Sequence, residues 1–240
     1  MFPSEQHVVR VLGADDWDRC DRLYDLSTYF GNPTREPTAA EQRKFRLLVV
    51  AAIRAVWSYV PPGVLRDAVE TTERFADDGD EAALRAVHAA AERLFLSIPA
   101  WPDPDHPGPV IHVLAQAVMN GTSDSVTTPY DPRWRNILVG LSSGFPGRTQ
   151  EQAHALHLRL FRDIIPNPYR RIWFDPDWRT DTVVSLARHV YESRDFSLMP
   201  VLADALQDAG CDNEDVLAHC RGPGPHARGC RVVDLVLGKA

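Results

Sequence analysis

Between residues 40 and 60 the apolar positions Phe45, Leu48, Val49, Ala52, Ile53, Val56 and Trp57 recur every three or four residues, which places them on one side of an α-helix. The spacing predicts a core-facing helix that Pro61-Pro62-Gly63 terminates. Leu65, Ala68, Val69, Thr72 and Phe75 repeat the stripe over Val64 to Phe75, and Leu84, Val87, Ala91 and Leu94 repeat it over Glu81 to Leu96. The intervening Asp77-Asp78-Gly79-Asp80 reads as a solvated loop whose Asp80 caps the next helix, because a carboxylate there accepts orphan backbone N–H groups. Residues 99 to 109 hold five prolines, which remove donors and fix φ, so neither a helix nor a central strand fits there. A further helix is expected over Val110 to Met119, followed by the polar loop Asn120 to Ser125.

The second half repeats the helical period. Thr149 to Phe161 carries Ala153, Leu156, Leu160 and Phe161, and Thr180 to Glu192 carries Val183, Leu186, Ala187, Val190 and Tyr191. Met199 to Ala209 presents Leu202, Ala205 and Leu206 and stops at Gly210, and Asp212 caps a short helix to Cys220 that Gly222 ends with positive φ. Tyr169 to Phe174, aromatic and β-branched between prolines, is expected to be a strand or an irregular arm, and Arg231 to Leu237 fits helix or strand. Tyr130-Asp131-Pro132-Arg133-Trp134-Arg135 and Phe174-Asp175-Pro176-Asp177-Trp178-Arg179 share one pattern, read as a capping Asp, a first-position Pro and a Trp under the entry. The predicted fold is mainly α: a multi-helix bundle or helical-pair array with a Gly/Pro-rich C-terminal corner. Residues 1–120 form an N-terminal helical region, 121–148 a polar linker and 149–240 a C-terminal helical region, or the whole is one continuous domain.

Composition narrows the class. With 44% hydrophobic and 25% charged residues over 240 positions, the chain can bury a core and is not of the disordered type. A net charge of -7 disfavours phosphate-driven nucleic-acid binding. Met1 to His7 lacks a leader pattern and no run approaches the roughly 18 apolar residues of a membrane span, so the expectation is a cytoplasmic protein without membrane contact. Four cysteines are too few for a disulfide scaffold and read as thiols or ligands.

Candidate chemistry concentrates at the end of the chain. Cys211, His219, Cys220, His226 and Cys230 surround the rigid turn Arg221-Gly222-Pro223-Gly224-Pro225. Cys220, His226 and Cys230 supply three donors of a tetrahedral zinc site, with Cys211 or His219 as a fourth. His219 and Cys220 are adjacent, so on a helix they point about 100° apart. The bland alternative is a packed structural corner in which the cysteines are small buried apolar residues and the histidines bond to loop carbonyls. A catalytic version would use Cys220 or Cys230 as thiolate, His226 or His219 as base, and Asp234 or Asp215 to orient the ring. An anion cradle of Arg221, His226 and Arg228 is weakened by prolines that delete N–H donors.

Elsewhere, His154 and His157 share a helix face but lack a third ligand and read as exposed polar surface. Arg159, Arg162, Arg170 and Arg171 interleave with Tyr169, Trp173 and Phe174 in an arm over 159–178 that suits bases or acidic peptides. The preferred reading packs Tyr169, Trp173 and Trp178 between the halves and leaves the arginines outside to pair with the acidic surplus.

Residues 210 to 239, Gly-Cys-Asp-Asn through Val-Leu-Gly-Lys with the central His-Cys-Arg-Gly-Pro-Gly-Pro-His-Ala-Arg-Gly-Cys, resemble the ending of an uncharacterised planctomycete-type bacterial family. Residues 161 to 209 resemble the segment that precedes that ending, and Lys44 to Ala76 more weakly another. The chain lacks the Ala-rich repeats many members carry and has Arg231 where an aromatic is usual. The resemblance implies no activity or catalytic residue. The functional expectation is a non-enzymatic helical protein acting through protein partners, its corner a structural lock. The alternative is a metal-binding or thiol-dependent enzyme or sensor using Cys220, His226 and Cys230, and the third is a nucleic-acid-associated protein using the arginine arm.

Overall fold

The computed structural model describes residues 13–21, 38–99, 110–123, 137–138, 141, 148–170 and 172–239. Among the described residues ten helices are numbered in chain order: α1 (Ala14–Arg19), α2 (Ala39–Arg54), α3 (Val64–Asp78), α4 (Glu81–Ser97), α5 (Val110–Thr122), α6 (Gln150–Ile164), α7 (Asp181–Ser193), α8 (Met199–Asp208), α9 (Glu214–Arg221) and α10 (Arg231–Leu237). No strand occurs among the described residues, so the protein is a mainly α, multi-helix structure. The open C-terminal run is helical, and the described part of the Tyr169–Phe174 arm is irregular.

Side chains fix the starts. Thr38 Oγ1 accepts from Glu41 N–H at 3.2 Å while Glu41 Oε2 accepts from Thr38 N–H at 2.7 Å, closing a capping box on α2. Thr149 and Gln152 repeat the device on α6, and Asp80 caps α4 through Ala83 N–H. Asp175 caps the single turn Pro176–Trp178, whose Trp178 is buried, as the motif reading expects. Its sequence echo at 130–135 lies outside the described residues. Gly222, expected to take positive φ, is instead extended at φ -65°, and the left-handed turn falls two residues later at Gly224, φ 65°.

α2 is the axis of the N-terminal half and is buried from Lys44 through Ile53. α3, α5 and α6 pack on it, and α4 covers α3 and α5. The short α1, which the periodicity does not announce, contributes Trp17, whose ring lies 5.6 Å from Phe161. Phe45 of α2 meets Phe161 edge-on at 6.4 Å. Burying one such ring contributes about 1.5–3 kcal/mol. A second apolar cluster joins α7, α8, α9 and α10 through Val183, Val190, Leu202, Leu206, Val216 and Val232. In sequence the clusters meet between Ile165 and Ile172, so α6 packs with the N-terminal helices.

The two clusters face one another across a polar seam. Buried Asp234 of α10 receives Arg43 Nη1 at 2.6 Å and the Lys44 ammonium of α2. Asp77, expected in a solvated loop, ends α3 with its side chain largely covered: it accepts from Tyr191 Oη at 2.8 Å and Lys239 Nζ at 2.7 Å. Glu73 of α3 pairs with Arg54 at 2.8 Å and with Arg194 beyond α7. Charges this covered are tolerable only when paired, which explains why each carboxylate meets at least two cations.

His157 corrects a second expectation. It is 1% exposed rather than on the surface, because α6 turns that face toward the bundle. Burial, helped by His154 and Arg148, holds its pKa at about 4 instead of 6.5. The unfolded chain therefore binds the extra proton between those values, and stability falls as pH drops through that window. The gap corresponds to about 3 kcal/mol from this residue. Urea denaturation at pH 7 and pH 4 is expected to show a smaller acid loss in H157Q than in the native chain; equal losses would exclude His157 as a source.

Candidate metal centre

Four side chains from both sides of the seam converge on one buried point. Asp163 is in the last turn of α6, His219 in the last turn of α9, His226 in the loop that follows, and Cys230 at the start of α10. One donor atom of each lies within 4.8 Å of all the others. Asp163 Oδ1 is 2.7 Å from His226 Nδ1 and 3.1 Å from His219 Nε2, which is itself 3.1 Å from Cys230 Sγ. All four side chains are less than a tenth exposed.

The local sequence produces this convergence. Asn213 caps α9 through the N–H groups of Asp215 and Val216, setting a register in which His219 faces the seam and Cys220 the second apolar cluster. Only one of two adjacent helical residues can take each direction. The Gly/Pro loop then reverses the chain so that Ala227 N–H reaches Asp163 Oδ2 at 2.9 Å. That bond leaves Oδ1 for the centre and fixes the carboxylate plane, as supporting hydrogen bonds around metal ligands do.

Burial raises the Asp163 pKa, but hydrogen bonds from His219 and His226 outweigh it and hold the carboxyl below its usual range. Burial lowers His219 despite Asp163, keeping the ring neutral near pH 7. Burial pushes the Cys230 thiol well above the ordinary thiol range. Near neutrality the set is thus a carboxylate, a neutral imidazole of His219, His226 and a thiol, so that a metal has the Cys230 proton to displace. Tetrahedral bonds of about 2.0–2.3 Å put donors about 3.3–3.8 Å apart. The separations of 2.7, 3.1 and 3.1 Å are shorter than that, and all the donors lie within 4.8 Å of one another; the buried Asp/His/His/Cys group could hold a metal once those contacts open around it.

Of the five residues singled out in the sequence, His219, His226 and Cys230 come together, whereas Cys211 and Cys220 lie in the second apolar cluster. Burial raises both of those thiols, Cys220 to about 12, which suits packing and not nucleophilic work. Asp163 was not singled out. Its signal was available: with Leu156 and Leu160 it continues one helical stripe at the seventh position, where an acid implies a buried partner. Neither acid suggested as a ring-orienting group does that work, since Asp234 sits on Arg43 and Lys44 and exposed Asp215 faces Arg170 at 3.4 Å.

The arginines considered for anions or partners are mostly committed. Arg162 donates to the carbonyls of Trp17 and Cys20, and Arg170 faces Asp18 at 3.3 Å and Asp215. Arg221 reaches Asp204 at 2.9 Å and Gln207, and Arg171 lies outside the described residues. Arg228 stacks on Tyr191 and meets Asp77 at 3.4 Å. Pairing with the acidic surplus is as expected, but of the three aromatics only Trp178 is buried; Tyr169 and Trp173 are 45% and 64% exposed. Among the described residues no helix is long and apolar enough to cross a membrane. Comparison of the chain with family models, curated proteins and solved structures found no match.

Proposed function

We propose that this protein is a non-enzymatic helical scaffold whose two apolar clusters are stapled by one zinc ion at Asp163, His219, His226 and Cys230. The observation that carries the reading is the convergence of four buried donors from opposite sides of the seam. A thiolate with two imidazoles favours zinc over magnesium or calcium, which prefer oxygen shells. Four protein donors complete a tetrahedral shell, the mark of a structural rather than a catalytic site. The locked scaffold then offers exposed, rigid side chains to a protein partner, Trp173 foremost, held edge-on against Trp178 at 5.4 Å.

The test is elemental analysis of protein purified without chelator, with D163N and C230S alongside. About one zinc per chain is expected in the native protein and far less in both variants. Free zinc at a thousandfold above Kd would add about 4 kcal/mol to stability, so chelation should lower the melting temperature. Affinity should rise with pH, as the Cys230 proton is displaced on binding. Cobalt in the same site should give tetrahedral d–d bands and a thiolate charge-transfer band that C230S loses. A native protein that stays metal-free after zinc incubation, or variants that keep full zinc, would overturn the reading.

A further inference from the structure

Beside the seam, a cleft of about 250 Å³ opens between α2, α6 and the loop that carries His226. Its polar lining is Arg54, Glu73, Arg194, Arg228 and His226, and its apolar walls include Leu47, Val50, Leu156, Leu160 and Phe196. We infer that this cleft binds a small organic oxyanion, a carboxylate or phosphate monoester with a short apolar body.

Charge is the first support. Three guanidiniums line the cleft against one carboxylate, Glu73, which Arg54 and Arg194 already share; half-exposed Glu70, outside the lining, stands 4.0 Å from Arg54. Arg228 has its acidic partner outside the lining, Asp77 at 3.4 Å, and that carboxylate also takes Lys239 at 2.7 Å, Tyr191 and Arg43. The lining itself thus carries more cations than carboxylates. Unsatisfied nitrogens are the second support: Arg54 Nε, Arg228 Nε and His226 Nε2 are buried and bond to nothing among the described residues. A buried polar group without a partner costs about 1–3 kcal/mol, and here three belong to residues of one lining. An oxyanion accepts from guanidinium N–H groups in planar, paired geometry, and the apolar walls accommodate a short hydrocarbon tail.

His226 ties the cleft to the metal centre. With Nδ1 turned toward Asp163 or a metal, Nε2 is its other ring nitrogen, and a metal on Nδ1 puts the proton on Nε2, making it a donor. This part rests on the zinc reading; the arginine part does not. Calorimetric titration of the full chain, with and without added zinc, separates the two. Hexanoate and hexyl phosphate are the probes, with hexanol and inorganic phosphate as controls.

At least one acidic probe is expected to bind saturably in both states, more tightly with zinc, and hexanol not at all; which acid binds better distinguishes carboxylate from phosphate. R54Q and R228Q should each weaken binding tenfold or more. R54K and R228K, which keep the charge but lose the planar fork, should fall between and guard against misfolding of the glutamine variants. Absence of binding by both acids, equal binding of hexanol, or affinity unchanged by all four substitutions would overturn the inference. Binding that is equally tight without zinc would overturn only the contribution of His226, and a metal-free protein would leave the arginine test standing.

Discussion

Replacing Asp234 by asparagine is expected to cost about 3–5 kcal/mol of folding stability, the range for stranding a buried charge by removing its partner. Asp234 is fully buried and faces two cations, Arg43 through both Nη atoms and Lys44 through Nζ. Burial pulls the Lys44 pKa down, and the negative charge of Asp234 opposes it. Without that charge the amine gives up its proton more readily, while Arg43 cannot and remains charged against an amide. Other bonds of Arg43, to Ala76 O at 3.1 Å, Tyr191 Oη at 2.8 Å and Asp77 Oδ1 at 3.3 Å, hold it in place, and Asp77, shared with Lys239 and Arg228, replaces only part of the lost charge. Urea denaturation at pH 7 reads the loss as a lower midpoint. The double variant K44M/D234N, with one stranded group removed, should recover part of it. A loss below about 1 kcal/mol in D234N would mean that water reaches the seam and that its ion pairs act as surface pairs.

The helices were legible because their apolar stripes are long and their caps are explicit. Asp80 and Asp175 cap where the sequence expects them, and Thr38 with Glu41 closes a box. By contrast, α9 is capped by Asn213 and not, as expected, by Asp212, because it is the Asn213 side chain that accepts from the N–H groups of Asp215 and Val216. α1 was not legible: six residues bury one large side chain, Trp17, and one residue has no period. The seam was hidden for a related reason. Asp77, Asp163 and Asp234 carry no local mark of their partners, since Lys239, His219 and Arg43 are far away in sequence, and Asp234 is expected on an imidazole instead of on Arg43. What the chain does carry is the misfit of a charge on an apolar face: Asp163 in the stripe of α6, Asp234 between Val233 and Leu235, Lys44 before Phe45. Each of these turned out buried. Candidate ligands were found by type in the tail, and the choice between His219 and Cys220 was set by the register of α9, which adjacency alone does not give.

Gly229→Ala is expected to cost about 2–5 kcal/mol, combining a positive-φ backbone with overpacking. Gly229 has φ 91°, and a Cβ there would stand 2.9 Å from Leu47 Cδ1 and 3.1 Å from Leu47 Cβ. The Leu47 Cβ is fixed by the backbone of the central helix and cannot swing aside as the Cδ1 methyl can, and Ile164 closes the other side at 3.4 Å. The same residue's carbonyl accepts from Lys44 Nζ at 2.7 Å, so a shift of the turn also disturbs the Asp234 cations. Because Cys230 follows directly, the displacement should carry its sulfur away from His219 and Asp163 and weaken zinc retention together with stability. Gly238 is the control: φ 68° with nothing within 4 Å of an added Cβ, so Gly238→Ala should show the backbone cost alone, about 1–2 kcal/mol. Denaturation midpoints for the two variants measure the difference. Equal losses at the two positions would mean that the close approach of the tail to α2 is not what fixes the corner.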